Sequence, residues 1–325
     1  MKHAVRIATL ALVALVLLYV LCTSANLGWF AVAHSFDHVA GWALAAIVAL
    51  LGANLALATM KWLFVMRAME PDHKSHPPFA DAMLATTFGA LLGQAMPFQV
   101  GVALSRSMAG KLGVGWSPSA NLGTTVYEQA FDAVVVGAAG VVAIPGYFLH
   151  LKPASWAALI VLSGGLVVAV SLVLPFLLGV FADLLRRVPL GHRFDGLAAR
   201  MHCAVGRAAT LSRRALVILA LLSVLRYATN LFLILVLLSA LDLLHYAAPT
   251  AAAFPLIQVV AFVPITPGNL GVVEWSWSAA LVSAGASFGA AATFALTTRV
   301  ASFVALLILI APLLAARLVQ TLPGK

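Results

Sequence analysis

Long apolar runs decide most of what this chain can fold into. Six of them, at about 7–30, 40–66, 120–149, 156–182, 214–240 and 287–317, each exceed the roughly 20 residues that a helix needs to cross a bilayer. Of the 325 residues, 63% are hydrophobic and only 9% charged, with a mean hydropathy of +1.06. A soluble domain carries about 25% charged residues. The expected fold is therefore an all-α polytopic membrane protein.

Two further apolar stretches, about 78–110 and 250–285, are broken at their middles. The second contains Phe262-Val-Pro-Ile-Thr-Pro-Gly-Asn-Leu-Gly-Val-Val-Glu274. Pro264 and Pro267 remove backbone donors, Gly268 and Gly271 loosen the turn, and Glu274 adds a carboxylate. The first is broken at Pro97-Phe-Gln-Val-Gly101. In hydrocarbon, broken backbone survives only where it is buried in protein or lines a wet cavity. Both stretches therefore fit re-entrant hairpins better than spans, with a site at their tips.

Lys and Arg set the orientation. Lys2, Arg6, Arg67, Lys74, Arg317, Lys325 and the Arg-rich connection at about 183–214 fall on one side of a six-crossing chain, and only Lys152 on the other. Both termini are predicted to be cytoplasmic. The net charge of +9 reads as basic cytoplasmic loops, not as a nucleic-acid surface. The connection 183–214 serves as a topology determinant, with an Arg-rich amphipathic helix on anionic lipid as the further reading. Lys2 and Arg6 before an apolar run, with Thr23-Ser24-Ala25 after it, also resemble a signal peptide. An uncleaved first helix is expected instead, because the first half of the chain needs it.

With this topology the chain divides into halves, 1–155 and 156–325. Each reads span, span, hairpin, span. Pro97 precedes Glu128 by 31 residues and Pro267 precedes Arg299 by 32. Each hairpin carries Pro-x-x-x-Gly at its tip. This is the pattern of an inverted-topology repeat, and transporters place their sites where such repeats meet.

Ionisable residues within the membrane are expensive and usually face a partner or a cavity. Glu128 and Asp132 are four apart and share one helical face. Arg226 falls near the middle of the fifth span, Arg299 within the last, Arg106 just past the first hairpin tip and Glu274 just past the second. These three acids and three bases form a balanced internal set. For Asp132, helix-to-helix pairing and direct function are equally open. For the arginines the functional reading is preferred, because a guanidinium matches phosphate with a planar fork and stays charged when buried. The carboxylates would serve as gates, a cation site or a proton relay.

Other motifs carry little. His34, Asp37 and His38, or His73 and His76 beside Asp72, are too few to hold a metal without further ligands. Cys22 and Cys203 suggest no disulfide framework. There is no phosphate-binding loop, nucleophile elbow or His-Glu-x-x-His, so no cofactor is expected. Trp275 and Trp277 suit either interfacial anchoring or packing.

The segment Pro264 to Glu274 resembles the signature of the lysylphosphatidylglycerol synthase transmembrane-region family, whose members are also called flippase-like membrane proteins. Its pattern is Pro-x-Ser/Thr-Pro-Gly-Gly-x-Gly-x-x-Glu. Pro97, Gly101, Arg106, Glu128, Asp132 and Arg299 resemble the family's other motif positions in order, over nearly the whole chain. Asn269 stands where the pattern has its second Gly, Gln129 where it has Arg after the Glu, and Val102 where it has an acid. The resemblance implies a bacterial-type inner-membrane protein that moves an amphiphilic lipid between leaflets. Aminoacylation is not expected, since only eight residues follow Arg317. The partner implied is a membrane lipid with an anionic headgroup. The rival readings are a membrane-embedded enzyme acting on a lipid phosphate, or a non-transporting subunit that organises lipid-biosynthetic enzymes.

Overall fold

The computed structural model describes residues 2–25, 41–69, 76–96, 98–114, 118–149, 153–187, 211–262 and 266–321. Ten α-helices run through these residues, with no strand among them. They are α1 (Lys2–Ser24), α2 (Gly41–Met69), α3 (Phe79–Leu92), α4 (Phe98–Val114) and α5 (Pro118–Leu149). They continue with α6 (Pro153–Arg187), α7 (Arg213–Ala240), α8 (Ala247–Phe262), α9 (Val272–Ser283) and α10 (Phe288–Thr321).

Six helical stretches are long and apolar enough to cross a membrane: Gly41–Ala68, Gly123–Ala143, Val161–Val180, Arg213–Ala240, Leu244–Phe262 and Phe288–Arg317. Five coincide with crossings expected from the sequence. The sixth, Leu244–Phe262, is the first arm of a stretch expected to be too short on either side of its break. A 3-10 turn at Leu244–Tyr246 leads directly into α8 and lengthens that arm. Pro255 does not break it. At the other end of the chain α1 stops at Ser24, short of the expected residue 30.

The second break falls where the sequence placed it, but the first lies ahead of the expected Pro97–Gly101, because Phe98 to Gly101 already form the first turn of α4 and Gly101 packs against Gly89 of α3. The chain turns at Gly93–Met96 between α3 and α4, and in a 3-10 turn at Pro267–Asn269 between α8 and α9. Pro97 and Pro264 themselves, and residues 188–210 of the basic connection, lie outside the described residues.

The helices pack in a set of matched pairs. α3 packs on α4 and α4 on α5; α8 packs on α9 and α9 on α10. α10 also packs on α2 and α3, while α5 packs on α7 and α8. α2 also packs extensively on α7. In lipid, such contacts rest on close van der Waals fit and hydrogen bonds more than on apolar burial. At α3 and α4 the fit depends on glycine. A Cβ on Gly101 would lie 2.8 Å from the carbonyl oxygen of Gly89, and one on Gly89 would lie 2.7 Å from Cα of Val102.

One core gathers Ile47, Leu237, Phe254, Trp277, Leu281 and Phe294 from α2, α7, α8, α9 and α10. Trp277 stacks on Phe254 and meets Phe294 edge-on, which settles its role as packing. Trp275 instead donates from Nε1 to the carbonyl of Leu17, 3.0 Å away, and ties α9 to α1. A second core, with Val65, Tyr127, Phe131 and Leu219, joins α2, α5 and α7.

Candidate functional site

The expected ionisable residues do come together, in two clusters. The first is built on α5, where Glu128 and Asp132 face inward one turn apart. Arg106 of α4 donates to Glu128 Oε2 at 2.5 Å. Arg226 of α7 reaches both carboxylates, Glu128 Oε1 at 3.3 Å and Asp132 Oδ2 more closely. The site thus joins residues more than 90 positions apart in sequence.

Arg106 is 1% exposed and fully engaged. Its Nε donates to Thr86 Oγ1 (3.2 Å) and its other terminal nitrogen to the carbonyl of Ala58 (3.1 Å). Its guanidinium also lies 4.9 Å from the ring centre of Trp62, a cation–π contact. Trp62 in turn donates to Thr124.

Sequence reasoning missed one charge here. Lys61 of α2 is 0% exposed. Its Nζ donates to Asp132 Oδ1 at 2.5 Å and to the backbone carbonyl of Glu128 at 3.2 Å, and sits 3.8 Å from Glu128 Oε1. The set counted as balanced therefore holds a fourth base. Along the chain Lys61 lies near the end of an apolar run, where a lysine ordinarily snorkels to the interface. The signal was present: Asn54, Ala58 and Lys61 recur at helical spacing and share one face of α2. Asn54 uses that face to donate to the carbonyl of Arg226 and to Thr229 Oγ1, both at 3.0 Å.

The second cluster joins both turns. Arg299 of α10 donates from Nε to Glu274 Oε1 at 2.6 Å. Its terminal nitrogens donate to the carbonyl of Gly268 at 3.1 Å and to Gln94 Oε1 at 3.2 Å. The other oxygen of Glu274 accepts from the backbone N–H of Gly271 at 2.7 Å, which closes the first turn of α9 in the manner of a capping box. Gln94, unremarked in the sequence, brings the α3–α4 turn to this cluster.

The turn around Gly268 is shaped by three left-handed residues. Gly268, Asn269 and Gly271 have φ of 60°, 52° and 83°. Glycine adopts this region freely, and asparagine is among the few other residues that do so. This accounts for Asn269 in a place where glycine is the pattern. Its side chain adds a tie to the carbonyl of Ala261 at the end of α8 (2.5 Å). Thr266 Oγ1 donates to the carbonyl of Leu270 across the same turn.

Both clusters line one cavity of about 340 Å³. Arg226 and Asp132 of the first cluster and Gln94, Glu274 and Arg299 of the second are among its lining residues. Gln129 also lines it. Among the described residues, no group of three or more His, Cys, Asp or Glu side chains converges to hold a metal. His34, Asp37, His38 and His73 lie outside them.

A family model described as the lysylphosphatidylglycerol synthase TM region matches residues 6–310. The chain belongs to this family. Comparisons with curated proteins and with solved structures found no match. As a member of the family with six helices able to span, it is a multi-pass membrane protein. The match covers α2 to α9 in full and α10 as far as Ile310, and with them every ionisable residue of both clusters.

Proposed function

We propose that this family member moves an anionic lipid, or a lipid-linked intermediate, between the leaflets of a bacterial-type inner membrane. The observation that carries this reading is the shared cavity: arginines and carboxylates from distant parts of the chain line one space among apolar helices. A headgroup passing through it would exchange water for guanidinium and amide groups, while the tails stay in lipid. The protein acts as a transporter and not as an enzyme, with both termini cytoplasmic.

The helix contacts support two repeated halves, 1–155 and 156–325. The pairs α3–α4 and α4–α5 correspond to α8–α9 and α9–α10. Likewise α2–α10 and α3–α10 correspond to α7–α5 and α8–α5. The ion pairs correspond too, with their charges reversed: Arg106 of α4 meets Glu128 of α5, and Glu274 of α9 meets Arg299 of α10. In this reading α1, α2 and α5 cross in the first half and α6, α7 and α10 in the second, with α8 a re-entrant arm despite its length, so the second half lies inverted relative to the first. α3 has 14 residues, about 21 Å at 1.5 Å per residue, which suits a re-entrant arm better than a span.

The test is exchange in liposomes. A tail-labelled anionic lipid in the inner leaflet should become accessible to an impermeant quencher when the purified protein is present. Product formation from a lipid phosphate would replace this reading with an enzyme. Neither result would point to a subunit that organises lipid-biosynthetic enzymes.

A further inference from the structure

The polar face of α5 does not end at the ion pairs. Asn121, Thr125, Glu128 and Asp132 follow at spacings of four, three and four and share one helical face. Glu128 and Asp132 line the cavity, while Asn121 and Thr125 lie beyond its lining. Both are 0% exposed. Yet Nδ2 and Oδ1 of Asn121 and Oγ1 of Thr125 have no hydrogen-bond partner among the described residues. Thr125 does not bond back to its own helix, as Thr59, Thr86, Thr87 and Thr298 do to the carbonyls four residues before them. The carbonyl of Asn121 accepts from Thr124 Oγ1 at 2.9 Å instead, and Thr124 in turn accepts from Trp62. Buried polar groups are nearly always bonded to protein or to ordered water, and leaving them bare costs most inside a membrane. These three atoms, one turn apart on α5, suit a ligand that both donates and accepts and is small enough to sit between packed helices. Water is that ligand.

The second half differs here. α10 carries Arg299 where α5 carries Glu128. Ala292 and Leu296 stand seven and three residues before Arg299, as Asn121 and Thr125 stand before Glu128. Ala292 and Leu296 pack on Leu21 of α1 in an apolar cluster. The two ion pairs correspond, but polar groups without partners lie behind one and an apolar contact behind the other.

We propose that Asn121 and Thr125 bind water that reaches the Arg106–Glu128 pair from the end of α5 nearer Pro118. The cavity hydrates from this side, and Ala292, Leu296 and Leu21 form a dry gate behind Arg299. Apolar constrictions close a path by excluding water. In the proposed topology the wet side is cytoplasmic. What the water serves rests on the transport reading, and the test separates the two.

The full chain is placed in liposomes, in a background lacking Cys22 and Cys203. Asn121→Cys, Thr125→Cys, Ala292→Cys and Leu296→Cys are each treated with a small membrane-permeant methanethiosulfonate, and adduct formation is followed by mass spectrometry. The reacting species is the thiolate, which needs water around it. The first two variants should react about tenfold faster than the last two, the scale on which relieving one bare polar group favours hydration. Equal rates, or faster reaction in Ala292→Cys and Leu296→Cys, would overturn the inference. Asn121→Leu/Thr125→Val keeps the side-chain shapes and removes the bonding atoms. It should melt at or above the wild-type temperature and exchange lipid about tenfold more slowly. A lower melting temperature, which would mean that these atoms have protein partners, or exchange at the wild-type rate would also overturn it. Fast thiol reaction in Asn121→Cys and Thr125→Cys, with no lipid exchange by the wild-type protein, would overturn the transport reading and leave the water site standing.

Discussion

Arg299 holds Glu274 through Nε, 2.6 Å from Oε1, and uses both terminal nitrogens to hold the carbonyl of Gly268 at 3.1 Å. One guanidinium thus fixes a carboxylate and the buried backbone of a broken helix together. Lysine cannot do both, because it has the charge but not the planar fork. Arg299→Lys should therefore slow lipid exchange about tenfold, a loss of roughly 1.4 kcal/mol, and Arg299→Ala should slow it further. The double variant Glu274→Gln/Arg299→Met keeps an oxygen to cap Gly271 and removes both charges. If Arg299 served only to pair Glu274, this variant would regain exchange. We expect it to melt near the wild-type temperature and still fail to exchange lipid.

Gly268 should tolerate no side chain. A Cβ there would lie 2.2 Å from the backbone oxygen of Gln94, and φ is +60°. Gly268→Ala would have to push the α3 and α8 turns apart, and exchange should be lost. Gly137→Ala is the comparison, since nothing lies within 4 Å of its Cβ position. It should keep full exchange and stay within about 1 kcal/mol of wild-type stability. Thermal unfolding in detergent checks both.

Glu128 should matter more for folding than Glu274. It has three cations within reach, Arg106 at 2.5 Å, Arg226 at 3.3 Å and Lys61 at 3.8 Å. Glu128→Gln leaves a buried positive cluster and should cost about 3–5 kcal/mol. Glu274→Gln leaves one cation, 22% exposed and still bonded to Gly268 and Gln94. It should cost about 1.5–3 kcal/mol, the worth of a charged hydrogen bond. A larger loss of melting temperature in Glu274→Gln would contradict this ranking.

The proposed topology predicts which loops face outward. In a background lacking Cys22 and Cys203, cysteines near His38, Lys152 and Tyr246 should react with an impermeant thiol reagent from outside. Cysteines near Lys74 and Arg193 should not. Outside labelling near Arg193 would be incompatible with an odd number of crossings in each half, and hence with inversion.

The sequence alone determined the class of the fold and the place of the second break, while the first lies a few residues ahead of the expected Pro97–Gly101. Membrane spans are legible because length and apolarity are local properties, and the Pro-Gly cluster at Pro267–Gly271 marks a break where single prolines such as Pro145, Pro175, Pro255 and Pro312 do not. The pairing of Glu128 with Asp132 on one face was legible for the same reason, since helical spacing is local. Partnership was not. Nothing near Arg106 in the chain indicates that Thr86, Ala58 and Trp62 would enclose it, or that Gln94 would reach Arg299 from 205 residues away. Lys61 shows the difference most clearly. Read along the chain it is a lysine near the end of a span, which ordinarily points to water. The packing of α2 against α5 and α7 turned it inward to two carboxylates, and only that packing made it the third cation of the first cluster.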